Sequence, residues 1–299
     1  MIPATVSWQS PALRRRLADY LSLTKPRVVL MVLITTLAGF YLGSRGGPDL
    51  ALLAHALVGT ALAAGGTMAL NQYMERDLDA HMLRTRHRPL PDGRVPPHEA
   101  LAFGLLLLAS GLVYLGAATN APCTIITSAI AGSYLLLYTP LKPRTSLCSV
   151  IGAVPGALPP VAGWAAAAGT LGPEPWILFA IMFLWQIPHT LAIGHLYRDD
   201  YARAGIRVLP VVDLDGAATG AHAVANCIAL MPVALLPTLT GLAGAAYFVV
   251  ALGLGLAFLW AAVGMARRRT TADARRLMIV SLIYLPAVLA TMALDKAPS

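Results

Sequence analysis

Charge is what this sequence has least of. Only 12% of its 299 residues are Asp, Glu, Lys or Arg, against about a quarter in an ordinary soluble domain. So little charge excludes a chain wetted on every side. Cysteine is scarce too: Cys123, Cys148 and Cys227 stand far apart in apolar segments, which excludes a disulfide framework or a metal-ligand spacing and leaves them as small packing residues. Aromatic residues make up 7% and are nowhere interleaved with basic ones, so the net charge of +8 does not point to nucleic acid. The polar start, residues 1–27 with Arg14, Arg15, Arg16 and Asp19, lacks the apolar core and cleavage site of a secretory signal. So short a tail favours a bacterial plasma membrane over an organelle.

What is present in abundance is apolar sequence in long runs, 57% of the chain in all. Runs such as Ala100–Ala118, Ala243–Ala266 and Leu277–Leu294 are near the ~20 residues that carry a helix across a hydrocarbon core of ~30 Å. Nine spans are expected, over 28–44, 50–72, 98–118, 121–139, 147–168, 176–196, 216–237, 242–266 and 277–294. Proline-rich breaks such as Pro140–Pro143 and Gly172–Pro175 fit the turns between them. The expectation is an all-α polytopic protein with a tail over 1–27, one membrane domain over 28–294 and a short end over 295–299. Of the 22 lysines and arginines, all but Arg45 and Lys296 fall on one side of this arrangement. That asymmetry places the N-terminus in the cytoplasm and accounts for the basic character of the chain.

Ionisable residues gather on that same side. In Asn71-Gln-Tyr-Met-Glu75-Arg-Asp77-Leu-Asp79, positions 71, 75 and 79 share one face of a continuing helix. Carboxylates stacked in this way repel one another unless a cation sits among them, and Mg²⁺ is the cation that bridges one or two carboxylates to a phosphate. Asp77 points elsewhere. The plain alternative is a loop whose acids balance Arg76, Arg84, Arg86 and Arg88. A second cluster, Tyr197-Arg198-Asp199-Asp200-Tyr201-Ala-Arg203, closes the sixth span on the same side. Two such sites facing each other would hold Mg²⁺ against a diphosphate. Lys142, Arg144, Arg88 and Arg203 are the candidates for neutralising its oxygens, each being otherwise a topology-setting basic residue.

At these residues the chain resembles the intramembrane aromatic prenyltransferase superfamily, and in particular its protohaem IX farnesyltransferase branch. The resemblance runs through Leu23–Val28, Asn71–Asp79, Arg84–Leu90, Tyr138–Thr145, Ile151–Trp164, Trp185–His189, Asp200–Ile206 and Val208–Pro210. The acidic helix end is common to the superfamily, while Pro159-Pro160…Gly163-Trp164 and Trp185-Gln-Ile-Pro-His189 look particular to the haem branch. The second cluster departs from the superfamily's spaced pair of aspartates, because Arg203 and Ala204 stand four residues after Asp199 and Asp200. His87 and Arg207 replace an expected Asn and Pro.

The resemblance implies nine helices around a cavity open to lipid, with farnesyl diphosphate and haem B as substrates and Mg²⁺ as cofactor. It implies catalytic roles for Asn71, Glu75, Asp79 and Asp200, and metal binding by Glu75, Asp79, Asp199 and Asp200. A complex with a haem A synthase or a terminal oxidase is a further possible partnership. Polar residues inside spans need partners and are functional candidates. His189, with Gln186 and Trp185 beside it, is the candidate haem contact, against a plain buried histidine; it lies ~16 Å along a helix from Asp200. His195 is a weaker candidate, and His55 and His222 read as structural. Trp164 and Trp176 read as interfacial anchors, and Gly65, Gly66, Gly152 and Gly156 as sites of close helix packing. The competing readings are a prenyltransferase acting on a quinone precursor or chlorophyllide, and a haem or lipid transporter, whose charges would sit near the membrane midplane.

Overall fold

The computed structural model describes residues 11–297; the first ten residues of the expected tail and the last two of the chain lie outside them. Among the described residues there are nine helices long and apolar enough to cross a membrane, and apart from a single bridge between Ala243 and Lys296 no β-pairing. A short helix, α1 (Pro11–Leu23), precedes the spans α2 (Pro26–Gly43), α3 (Leu50–Ala80) and α4 (Pro97–Ala118). The fourth span is α5 (Ala121–Gly132), a π-helical turn (Ser133–Tyr138) and the single turn α6 (Thr139–Leu141). The fifth is split into α7 (Cys148–Ala157) and α8 (Pro159–Ala168), because Pro159 and Pro160 supply no N–H to a continuous helix. Then come α9 (Glu174–Leu196), the short α10 (Arg198–Arg203) and α11 (Leu209–Val212), and the spans α12 (Ala217–Leu239), α13 (Ala245–Arg268) and α14 (Thr271–Leu294).

The helices close into a ring: α3 packs on α4, α2 on α8, α7 and α12 on α9, α13 on α12, and α14 on α13, α9 and α2. A clasp at the sparsely charged end joins last to first. Lys296 Nζ donates to Tyr41 O (2.8 Å) and Ser44 O (2.5 Å), while Asp295 Oδ2 accepts from Tyr247 N at 2.7 Å. At the opposite end α1 lies against α3, and Glu99 at the head of α4 accepts from Arg16 (2.8 Å) and from Tyr20.

Without a hydrophobic drive between helices, membrane bundles depend on small residues that let backbones approach. A Cβ on Gly163 of α8 would come 1.9 Å from Thr36 O, one on Gly39 of α2 1.9 Å from Pro160 O, and one on Gly66 of α3 2.4 Å from Leu108 N. Gly152 and Gly156 also sit at close approaches, but to side chains: the Tyr138 ring at 2.6 Å and Gln186 Oε1 at 2.1 Å. One expectation is corrected. Trp164 is buried and meets α2 where Gly43 leaves room, a Cβ there lying 3.0 Å from its ring, so it is a packing residue. Trp176 is exposed.

Gly163→Ala should force α2 and α8 apart and cost about 1–3 kcal/mol, read as a lower thermal unfolding midpoint in detergent. Gly253→Ala, where nothing lies within 4 Å, should leave that midpoint unchanged or slightly raised. Equal midpoints for the two variants would remove close approach as the reason for Gly163.

Candidate active site

Helix α3 runs on to Ala80, past the expected end of its span, and this carries Asn71, Glu75 and Asp79 onto one helical face. All three are buried, at 0%, 6% and 1% exposure. Buried charge of this kind is tolerated only when paired, and the neighbouring segments supply the pairs. Lys142 Nζ lies 2.6 Å from Glu75 Oε1, and Arg88 Nη1 lies 2.6 Å from Asp79 Oδ2. Asn71 Oδ1 accepts from Lys25 Nζ at 2.6 Å, and its Nδ2 donates to Thr139 Oγ1 at 3.1 Å. Asp79 Oδ1 is buried with no hydrogen-bond partner. Together Lys25, Glu75, Asp79, Arg84, Arg88 and Lys142 line a cavity of about 130 Å³.

Local structure explains how these groups arrive. Pro140 gives no N–H and crowds the carbonyl four residues earlier, and the helix widens there into the π turn Ser133–Tyr138, a feature frequent at functional sites. Thr139 Oγ1 then donates to Tyr134 O at 2.9 Å while meeting Asn71, and one turn on Lys142 Nζ sits 4.6 Å from the Tyr138 ring centroid. Lys25 occupies the break between α1 and α2 with φ 50°, ψ 67°, a left-handed conformation that costs a residue with a Cβ ~1–2 kcal/mol. It is held there because Gln72 Nε2 donates to both Ser22 O and Leu23 O at 3.0 Å. Burial, together with the nearby Arg88 and Lys142 cations, pushes the Lys25 ammonium down to about 7 against the pull of Glu75 and Asp79.

The second expected cluster is placed differently. Asp200 accepts from the backbone N–H groups of Leu83 (3.3 Å) and Arg84 (3.4 Å) and pairs with Arg203. Its burial opposes the charge, but these donors hold the carboxyl below the usual range. Asp200 thus clamps the turn after α3 to α10. Asp199 is exposed, and among the described residues no three His, Cys, Asp or Glu side chains gather as a metal cluster. Through these N–H groups Asp200 is tied to the turn that closes just after Asp79. The segment that carries both acids meets the cavity through Tyr201 and Ile206, and Arg203 faces Asp200. Arg144 is exposed and does not line the cavity.

Expected from the sequence and found together are Asn71, Glu75, Asp79, Arg88 and Lys142. Lys25 was missed: its signal was a lone lysine before Pro26 at the mouth of the first span, inside the matched segment Leu23–Val28. In α9, His189 Nδ1 lies 2.7 Å from Ser281 Oγ, and its ring stacks on Trp185 with centroids 5.0 Å apart. Trp185 is buried and donates through Nε1 to Ser281 O at 2.8 Å; Gln186 Nε2 donates to Ala153 O at 3.2 Å. Trp185 and Gln186 are thus engaged with α14 and α7. The Ser281 hydroxyl also has Met278 O within 2.6 Å; with its proton donated there it accepts from His189 Nδ1–H, the tautomer that leaves a lone pair on Nε2.

Comparison with known proteins agrees with this arrangement. The model of the UbiA prenyltransferase family matches residues 32–285. The protohaem IX farnesyltransferase of Solibacter usitatus is 47% identical over 287 residues, covering 93% of this chain and 98% of that protein. That of Koribacter versatilis is 42% identical, covering 96% of each. Among solved structures, a digeranylgeranylglyceryl phosphate synthase superposes with a TM-score of 0.79 at 18% identity, over 94% of this chain and 98% of that one. A UbiA homologue from Archaeoglobus fulgidus bound to GPP and Mg²⁺ gives 0.64 at 17%, over 92% and 99%. These two share the fold; the farnesyltransferases share the sequence almost end to end. With its acidic helix end buried beneath paired cations, the chain belongs to the UbiA prenyltransferase family, within it to the protohaem IX farnesyltransferases.

Proposed function

We propose that this chain transfers the farnesyl group of farnesyl diphosphate to a vinyl group of haem B, giving haem O, in the plasma membrane of a bacterium. The observation that carries the reading is the cavity at the end of α3, where two buried carboxylates and several cations converge, in a chain so similar to farnesyltransferases. The excess of lysine and arginine on one side of the spans puts the N-terminus on the cytoplasmic side, and residues 28–294 act as one membrane domain. The donor set fits Mg²⁺: Glu75 and Asp79 stand one helical turn apart, and Asp79 Oδ1 is a buried oxygen without a partner. Glu75 and Asp79 would hold the ion, with Asn71 positioned by Lys25 and Thr139 beside them. When bound, Mg²⁺ offsets the charge that grows on the departing diphosphate.

The chain's own groups do the rest. Lys142, Arg88 and Lys25 bind the diphosphate oxygens, with Arg84 at the rim; Arg144 and Arg203 stand farther out, where they attract the anion. As the allylic C–O bond breaks, its electron pair leaves with the diphosphate. The vinyl π electrons of haem attack the cationic carbon, and water captures the resulting cation and loses a proton, which completes the hydroxyethylfarnesyl group. Buried, partnered side chains around the cavity limit water at the moment of ionisation. Haem is held from α9, where the Nε2 lone pair of His189 is free to ligate iron while Ser281 fixes the ring, the arrangement expected of a metal-binding histidine. The haem O product makes a haem A synthase or a terminal oxidase the natural partner.

Asp79→Asn and Glu75→Gln should each lower farnesyl transfer by about 10²–10³-fold, measured by chromatography of the haem product, while still unfolding cooperatively in detergent at a somewhat lower midpoint, because Arg88 and Lys142 lose their partners. Full turnover in both would reject the site. Purified protein offered haem or hydroxybenzoate alongside farnesyl diphosphate should yield product from haem; product from hydroxybenzoate alone would move the assignment to a quinone precursor. In haem-loaded protein, His189→Ala should abolish the visible-absorption signature of histidine ligation and Ser281→Ala should weaken it. An unaltered spectrum in both would assign His189 to packing.

A further inference from the structure

Each polar position on the α3 face already has a cation of its own, and each cation comes from a different segment. Lys25, at the head of α2, reaches Asn71; Lys142, after α6, reaches Glu75; Arg88, in the turn after α3, reaches Asp79, all at 2.6 Å. Neutralising carboxylates alone would not require an ammonium on the uncharged Asn71. The cations also outnumber the acids. Even with Lys25 left out, Arg84, Arg88 and Lys142 line the cavity against Glu75 and Asp79.

The consequence is electrostatic. A bare divalent cation entering the cavity meets net positive charge and has to displace an ammonium from Glu75. A bare diphosphate meets two carboxylates from which no cation has been released. Brought in together, the two solve each other's difficulty: phosphate oxygens accept Lys25, Lys142 and Arg88, which sets the oxygens of Glu75 and Asp79 free for the metal. Asp79 Oδ1, buried and unpartnered, is where such a metal begins to bind. We infer that the cavity takes the divalent cation and the diphosphate as a single ligand, with Lys25, Lys142 and Arg88 passing from the side chains of α3 to phosphate oxygens, and that the same three pairs exclude the free cation. This rests on the diphosphate reading of the cavity given above and adds to it an order of binding and a role for Lys25.

The test uses the full chain in detergent, with Mn²⁺ as a paramagnetic probe titrated with and without inorganic pyrophosphate. Wild-type protein should bind Mn²⁺ alone at least tenfold more weakly than Mn²⁺ with pyrophosphate, a gap of about 1.4 kcal/mol or more. Lys142→Met frees Glu75 and should move the two affinities in opposite directions, Mn²⁺ alone tightening about tenfold and the pair weakening about tenfold. Lys25→Met should weaken the pair as well. Lys142→Arg keeps a cation and should preserve the wild-type order, which separates charge from folding. Wild-type protein that binds Mn²⁺ alone as tightly as the pair would overturn the single-ligand inference and leave the diphosphate site standing. Binding of neither would overturn both, and a Lys142→Met variant that weakens the pair while Mn²⁺ alone binds as in wild type would overturn the exclusion of the free cation and reduce Lys142 to a general anion contact.

Discussion

The pairing of buried charges at the end of α3 is the constraint on which the rest of this molecule depends. Glu75 and Asp79 lie almost wholly out of solvent, and a carboxylate in such surroundings is costly unless an opposite charge stays within hydrogen-bond reach. The fold therefore has to deliver cations from separate parts of the chain to one helix face and hold them there. That requirement explains features otherwise hard to account for: a lysine in a left-handed conformation before a proline, a π turn in the fourth span and a glutamine tying α1 to α3.

The surrounding bundle makes that delivery possible by close packing of backbones. Gly163 against Thr36, Gly39 against Pro160 and Gly66 against Leu108 draw α2, α3, α4 and α8 together where side chains would hold them apart. In a membrane, where lipid is as apolar as leucine, such contact is the main source of helix association. The Lys296 clasp to Tyr41 and Ser44 shuts the ring at the far end from the site.

The acids of α10 show what a local pattern leaves out. Adjacent aspartates after a span look like ligands when only spacing is visible. In three dimensions Asp200 is used by the N–H groups of Leu83 and Arg84 and by Arg203, so it orders the turn that bears Arg88. The acid acts on the site through the backbone. Trp185 is similar: beside His189 it resembles a substrate contact, yet its indole is bound to the carbonyl of Ser281, and it serves to set the histidine.

The sequence by itself determined the nine spans, the sidedness of charge and the acid-bearing helix end, because hydropathy over twenty residues and the 3.6-residue period of a helix are properties of neighbouring residues. It also determined which helix face holds Asn71, Glu75 and Asp79, since i, i+4 spacing is fixed once the helix continues. Only the tertiary structure decided that Lys25 reaches Asn71 and that Asp200 takes the backbone N–H groups of Leu83 and Arg84. Those outcomes depend on which segments meet across more than forty residues of chain, and on which donor reaches a carboxylate first. No local spacing encodes either.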